Sequence, residues 1–338
     1  MKTYLLITLA FSLCLASAQP VAAGIHAILW SADTGMQDLG TLGGDMSYAT
    51  AVNDNGVVVG YSYTADGAGR AFLWTTASGM QDLGVPAGAN YSSLVAESIN
   101  NKNEIVGYAF SGGGLTTPFY WTATAGFTVF TPGSGEAYGI NDPGTVTGLI
   151  DQHNVEQTFL WQPSRDIFRG LGFPFGQPYS VGMKINNAGN IAGQLETDVV
   201  DFHPMFWSRA TGFVDLGVPA ALYNGVGYGI NKVDEVVGET WNSQTGASVA
   251  AFYWNASAGR VALTPLPNRV STAAYGINNK GMIAGVSASD DSRFPTRAVI
   301  WKNYTSDPQD LGTLPGGTIS AGSAINNLGQ VAGYADVP

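Results

Sequence analysis

Acid–base or metal chemistry in this 338-residue chain rests on few groups, with 3 His, 25 Asp and Glu, and 14 Lys and Arg in all. The most polar stretches hold Asp151, His153 and Glu156 and, further on, Glu196, Asp198, Asp201 and His203. Carboxylates beside imidazoles ligate hard cations or exchange protons with a substrate. Asp151, Glu196 and Asp201 are therefore the acids an enzyme would use, and Asp151, His153, Glu156 and Asp198 the ligands a divalent cation would find. The plainer reading is a pair of solvated loops, with neither catalysis nor cofactor. His203 stands before Trp207 as His26 stands before Trp30, which marks it as a repeated strand position rather than a ligand. A second group, Glu97, Glu136 and Lys184, falls on strands expected to lie innermost, where it can hold an anion or a cationic ligand. Alternatively, Lys184 and a glutamate neutralise each other. Aromatic residues that follow glycine-containing strands (Tyr61, Tyr63, Tyr108, Phe110, Trp241, Tyr334) can stack on sugar rings or serve only as packing. Trp241 leads this group as the one Trp outside the repeat phase described next. Nucleophile-elbow, zinc-helix, phosphate-loop and dinucleotide motifs are all lacking.

The elements that must position these groups are copies of one unit. Trp recurs at 30, 74, 121, 161, 207, 254 and 301, and Asn preceded by Val or Ile at 53, 100, 141, 186, 231, 278 and 326. Gly follows each such Asn seven residues later, at 60, 107, 148, 193, 238, 285 and 333. Each unit reads as four short strands, the first two joined by a tight Asn–Gly turn such as Asn53-Asp54-Asn55-Gly56. A four-stranded unit of about 46 residues in seven copies predicts an all-β fold, a seven-bladed β-propeller of antiparallel blades. Small residues two and four positions before each Asn, with Lys184 the exception, predict that this strand is innermost, where crowding is greatest. In that register residues 19–338 form a single domain, and the ring closes by pairing of the N- and C-terminal strands.

Composition agrees with this architecture. Charged residues are 12% of the chain and Gly numbers 45, against roughly a quarter charged and about 7% Gly in ordinary soluble domains. Glycine at that density argues against long helices. A net charge of −11 excludes a nucleic-acid backbone as the expected partner. Residues 1–18 read as a signal peptide: Lys2, then the apolar run Tyr4 to Leu15, then the cleavage box Ala16-Ser17-Ala18. The expected product is a secreted, extracellular or periplasmic, monomeric protein without a membrane span. Cys14 is the only cysteine and lies in that leader, so packing alone must hold the mature fold. Asn90, Asn255 and Asn303 open sequons that matter only in a glycosylating host.

The segments His26-Ala27-Ile28-Leu29-Trp30, Ala71-Phe72-Leu73-Trp74, Met36-Gln37-Asp38-Leu39-Gly40 and Ile325-Asn326-Asn327-Leu328-Gly329-Gln330-Val331-Ala332-Gly333-Tyr334 resemble the bacterial extracellular HAF repeat family, named after its His-Ala-Phe-Leu-Trp strand. The resemblance spans residues 24 to 335 and implies export and a repeat fold without an assigned chemistry. Arg169 replaces the Asp of the Asp-Leu-Gly run in the fourth Trp unit, so that Asp is not required for the fold. The expected function is non-enzymatic binding of a glycan or a protein on the variable-loop face, with Trp241, Glu97, Glu136 and Lys184 as candidate ligand-binding residues. A polysaccharide hydrolase or lyase using the loop carboxylates is the alternative, and a structural surface or matrix role the third reading.

Overall fold

A computed structural model describes residues 24–88, 90–111, 114–130, 133–152, 155–174, 176, 179–197, 201–219, 224–242, 250–289, 293 and 295–338. The expected leader, and His153 and Asp198 among the candidate ligands, lie outside the described residues. Those residues form 28 strands and one 3-10 turn, Pro163–Arg165. No described helix is long and apolar enough to cross a membrane.

The unit with Trp121 shows the local logic. Strands Tyr91–Ile99, Ile105–Ser111, Thr116–Thr122 and Gly126–Val129 pair antiparallel in chain order. Four further units, covering residues 134–172, 180–215, 224–262 and 271–310, are separate four-stranded sheets with the same order. The remaining eight strands join the Trp121 unit in one open network of 12, held between its antiparallel parts by the single parallel pairs Ile25↔Met46 and Gly69↔Ser93. Within this network the chain ends meet. Gly24–Ser31 lies against Val331–Val337, in register from Gly24↔Val337 to Trp30↔Val331. Hydrophobic clusters fill the spaces between successive sheets, each including the Val or Ile that precedes a turn Asn, such as Ile99, Ile140 and Ile277.

One feature of the first strand corrects the side-chain orientation expected from alternation. In every unit the register shifts by one residue between the two small positions, as between Ala96 and Ser98 or Gly227 and Gly229. Such a bulge leaves one residue unpaired and swings it out of the pleat. The unpaired residues are Thr50, Glu97, Tyr138, Met183, Tyr228, Tyr275 and Ser323. Tyr138, Met183 and Tyr228 come from three successive sheets yet belong to one cluster with Tyr108, Val181 and Val226, so these bulged residues are the ones that face the centre. The small residues instead lie where neighbouring first strands nearly touch. A Cβ on Gly139 would stand 3.0 Å from Lys184 Cα, and one on Gly229 3.2 Å from Gly276 Cα.

The repeated Asn performs two tasks. Its Oδ1 accepts main-chain N–H groups of its own turn, at 3.0 Å from both Asn55 and Val57 in the case of Asn53. Its Nδ2 donates to the carbonyl of the next unit's Asn. These donations run from Asn53 to Asn100, Asn141, Asn186, Asn231, Asn278 and Asn326 and back to Asn53, each 2.8 to 3.2 Å long. Buried polar atoms left unpaired cost about 1–3 kcal/mol each. Asn186→Ala removes donations to Asn231 O and Asp234 Oδ1 and the acceptor for two N–H groups, so we expect it to lower stability by about 3 kcal/mol in urea unfolding. A loss below about 1 kcal/mol would show that the circle contributes little.

Candidate functional site

Three layers run through the centre enclosed by the first strands. At the turn end lies a cavity of about 210 Å³ lined by all seven Asn turns. Many of its polar groups are engaged with one another. The residue after each turn Asn forms a second circle in which Asp54, Asn101 and Asp142 N–H groups donate at 2.9 Å to the Oδ1 of Asn101, Asp142 and Asn187. Lys232, which has no side-chain acceptor, interrupts this circle, and it resumes from Lys232 through Asn279 and Asn327 to Asp54.

The middle layer carries the candidate central residues, of which Glu136 is buried and Glu97 and Lys184 are part-buried. Glu97, Glu136 and Glu239 are inserted among the tyrosines, each receiving a hydrogen bond from a ring hydroxyl, of Tyr108, Tyr138 and Tyr228 respectively. Burial raises all three, Glu97 and Glu239 to about 7 and Glu136 to about 8, the last helped by the charge of Glu97. Burial lowers Lys184 to about 8, with Glu97 acting in the opposite direction. Lys184 Nζ donates to the main-chain carbonyls of Glu97 and Tyr138, both at 3.0 Å. It therefore works as a strut between first strands, with the nearby Glu97 charge favouring its protonated form.

These shifts set a pH dependence. A carboxyl with a folded value above its unfolded one keeps its proton longer in the native state, so stability falls as pH rises from the ordinary carboxyl range through the folded value. With unfolded values near 4.5 and folded values of about 7 to 8, the thermal midpoint should fall between pH 5 and pH 8. Glu136→Gln, which mimics the protonated form, should raise the midpoint at pH 8 more than at pH 5. A midpoint that rises steadily across that interval would contradict the burial of these groups.

At the end opposite the turns the loop carboxylates converge in part. Asp151 and Glu156 face each other as cross-strand partners. Glu156 forms a bridge to Tyr179 at the edge of the next sheet, and Glu196 N–H donates to Tyr179 O at 3.2 Å. Burial raises Glu156, and the charges of Asp151 and Glu196 add to it. Burial, then Glu156, Glu136 and Glu196, push the Tyr179 hydroxyl up. The Oδ1 of Asp151 is buried without a hydrogen-bond partner among the described residues. The ring of Phe202 meets that of Tyr179 edge-on at 5.2 Å. Trp241 is half-buried and packs on the central cluster, so only part of its ring faces outward. Asp201 enters through its backbone, its carbonyl accepting from Thr197 N–H at 3.0 Å. Among the described residues no group of three or more His, Cys, Asp or Glu is arranged to hold a metal.

His203 has the structural role its repeat position implied. Its Nδ1 lies 2.9 Å from Asp215, as that of His26 lies 2.8 Å from Asp38. The Asp carboxylates also accept the N–H of the Gly two residues on, at 2.8 Å for Gly40 and 2.7 Å for Gly217, and so close the turn after the fourth strand. The sequence reading missed Tyr179 and Glu239. Tyr179 has no repeated counterpart to flag it. Glu239 directly follows the repeated Gly238, in the position held by Tyr61 and Tyr108 in other units, and that column was readable.

No family model matches the sequence, and no curated protein matches it. Among solved structures, the β-propeller domain of the Trilobed protease from Pyrococcus furiosus has a TM-score of 0.55 at 9% identity, over 84% of this chain and 86% of that one. An oligogalacturonate lyase in complex with manganese has a TM-score of 0.54 at 10% identity, over 95% and 99%. Virginiamycin B lyase from Staphylococcus aureus has 0.51 at 10% identity, over 93% and 99%. At such identities the likeness is one of fold, and it gives an all-β chain of four-stranded sheets arranged as in β-propellers.

Proposed function

We propose that the chain is a seven-bladed β-propeller, exported through its N-terminal leader and of the HAF repeat kind, that binds a glycan or protein partner without catalysis. The circle of seven Asn side chains and the pairing of the two chain ends support the closed seven-bladed reading. The contrast between the two ends of the centre supports the binding reading. The turn end uses its Asn amides mostly on its own turns, whereas the other end gathers Asp151, Glu156 and Glu196 from two adjacent sheets beside Tyr179. Variable loops on a rigid scaffold are the usual place for a site, and burial with two neighbouring carboxylates raises Glu156 above the ordinary carboxyl range.

The test is a glycan array and a pull-down with the mature protein, Trp241→Ala, and the double variant Asp151→Asn, Glu196→Gln. Binding that falls at least tenfold in the double variant supports this face. A silent array together with polysaccharide turnover that disappears in Asp151→Asn, Glu196→Gln, Asp201→Asn would replace the binding reading by the hydrolase or lyase one.

A further inference from the structure

The circle formed by the residues after each turn Asn has one break, at Lys232. Six of its seven main-chain N–H groups donate to the side-chain oxygen of the next residue round, at 2.8 to 2.9 Å. The seventh belongs to Asn187, whose neighbour round the circle is Lys232, and among the described residues nothing accepts it. On the other side of Lys232, Asn279 accepts the Lys232 N–H with its Oδ1, while its Nδ2 has no acceptor among the described residues. The ammonium of Lys232, an exposed residue, has no partner among them either. Three consecutive residues of the circle thus bring unmet donors to the wall of the cavity of about 210 Å³ at the turn end. Two other units show what satisfies such donors. Asp142 Oδ1 accepts the N–H of Asn101, the residue before it round the circle, and its Oδ2 accepts from Nδ2 of Asn187, the residue after it, both at 2.9 Å. Asp54 repeats the arrangement, with Asn327 N–H at 2.8 Å and Asn101 Nδ2 at 3.1 Å. Lys232 is flanked by donors of the same two kinds, but carries an ammonium where those units carry a carboxylate.

We propose that this break binds the carboxylate of a small organic acid, which takes the place that the Asp side chain holds in the other two units. One oxygen accepts Asn187 N–H and the other Asn279 Nδ2, while Lys232, a compact charge on a flexible stem, supplies the countercharge. Hydrogen bonds from such N–H groups to a carboxylate are about twice as strong as neutral ones. The volume lies below the roughly 300–1,000 Å³ of pockets for drug-sized ligands, which suits a small acid. Asp54 and Asp142 add negative charge to the same mouth, although each already accepts from three N–H donors. Their repulsion acts more strongly on doubly charged phosphate than on a carboxylate. The site lies at the opposite end of the centre from Asp151, Glu156 and Glu196, so it stands or falls apart from binding on that face.

The experiment follows the main-chain amide resonance of Asn187 and the side-chain amide of Asn279 while the purified protein is titrated with acetate, acetamide, phosphate and acetyl-alanyl-alanine at constant ionic strength. Acetate should give a saturable shift of both resonances, acetamide none, and phosphate a response at least threefold weaker. Lys232→Asn offers an Oδ1 to Asn187 N–H and closes the circle, so it should weaken acetate at least tenfold without lowering the thermal midpoint. Lys232→Met removes the charge but leaves both flanking donors; it should weaken acetate at least threefold, and it serves if the first variant does not fold. No saturable shift with acetate, equal responses to acetate and acetamide, equal responses to acetate and phosphate, or acetate binding unchanged in the variants would each overturn the proposal. Tighter binding of acetyl-alanyl-alanine than of acetate would overturn the choice of a small acid in favour of a peptide C-terminus.

Discussion

Gly107→Ala should destabilise the protein by about 3 kcal/mol or more, the upper range for forcing extra atoms into a packed interior. A Cβ at Gly107 would lie 1.9 Å from the carbonyl oxygen of Val95 and 2.9 Å from Ala96 Cα. The cause is the bulge in the first strand, which turns that carbonyl toward the facing residue of the second strand. Because every unit carries the bulge, the corresponding glycines face the same contact, at 1.9 Å for Gly60, Gly148, Gly193, Gly238 and Gly333 and 2.0 Å for Gly285. No flexible side chain can give way, since the obstructing atom is backbone. Gly126→Ala is the control. Its φ of 69° strains any side chain, but nothing lies within 4 Å of the added carbon, so the loss should be about 1–2 kcal/mol. Equal losses for the two variants in urea unfolding would show that close approach does not select glycine in the second strand.

Deleting residues 320–338 should abolish cooperative unfolding altogether. The deletion removes strands Ser320–Ile325 and Val331–Val337, and with them the register from Gly24↔Val337 to Trp30↔Val331. Strand Gly24–Ser31 would then expose a long unpaired edge, which in a sheet protein invites association. Val331 and Ala332 leave two different clusters, the first shared with Ile28, Trp30 and Ile300 and the second with Leu29, Phe72 and Trp74. The deletion also opens the Asn circle, since Asn326 donates at 2.8 Å to Asn53 O. With no cysteine outside the expected leader, packing and hydrogen bonds must hold the ends together. Circular dichroism melting with a broad, concentration-dependent transition is the expected result. A truncated chain that keeps the midpoint and steepness of the full one would show that the terminal pairing is dispensable.

Much of this architecture was legible because the repeat supplies seven readings of each position. Trp, Asn and Gly at fixed spacing mark the third strand, the first turn and the second strand in every unit, and the observed pairing follows that order. The Val or Ile before each Asn was rightly expected between sheets. The candidate site was less legible. Asp151, Glu156 and Glu196 come together, but through Tyr179, a residue that periodicity does not mark. Glu97, Glu136 and Lys184 do reach the centre, where tyrosine hydroxyls and main-chain carbonyls, which the repeat pattern does not mark as their partners, hydrogen-bond to them.

The amino-acid sequence by itself determined the strand set, its order and the partners at the chain ends, because these depend on which short segments can form strands and turns and on how often the pattern recurs. The tertiary structure alone decided which side chains point to the centre. Alternation assigns faces with a period of two, and a single unpaired residue inverts that assignment beyond it. The bulge has no residue signature of its own, being Thr50 in one unit, Glu97 in the next and Tyr138 in the one after. Its trace in the sequence is indirect, left in the glycine of the opposite strand, whose requirement appears only when the carbonyl that crowds it is in place.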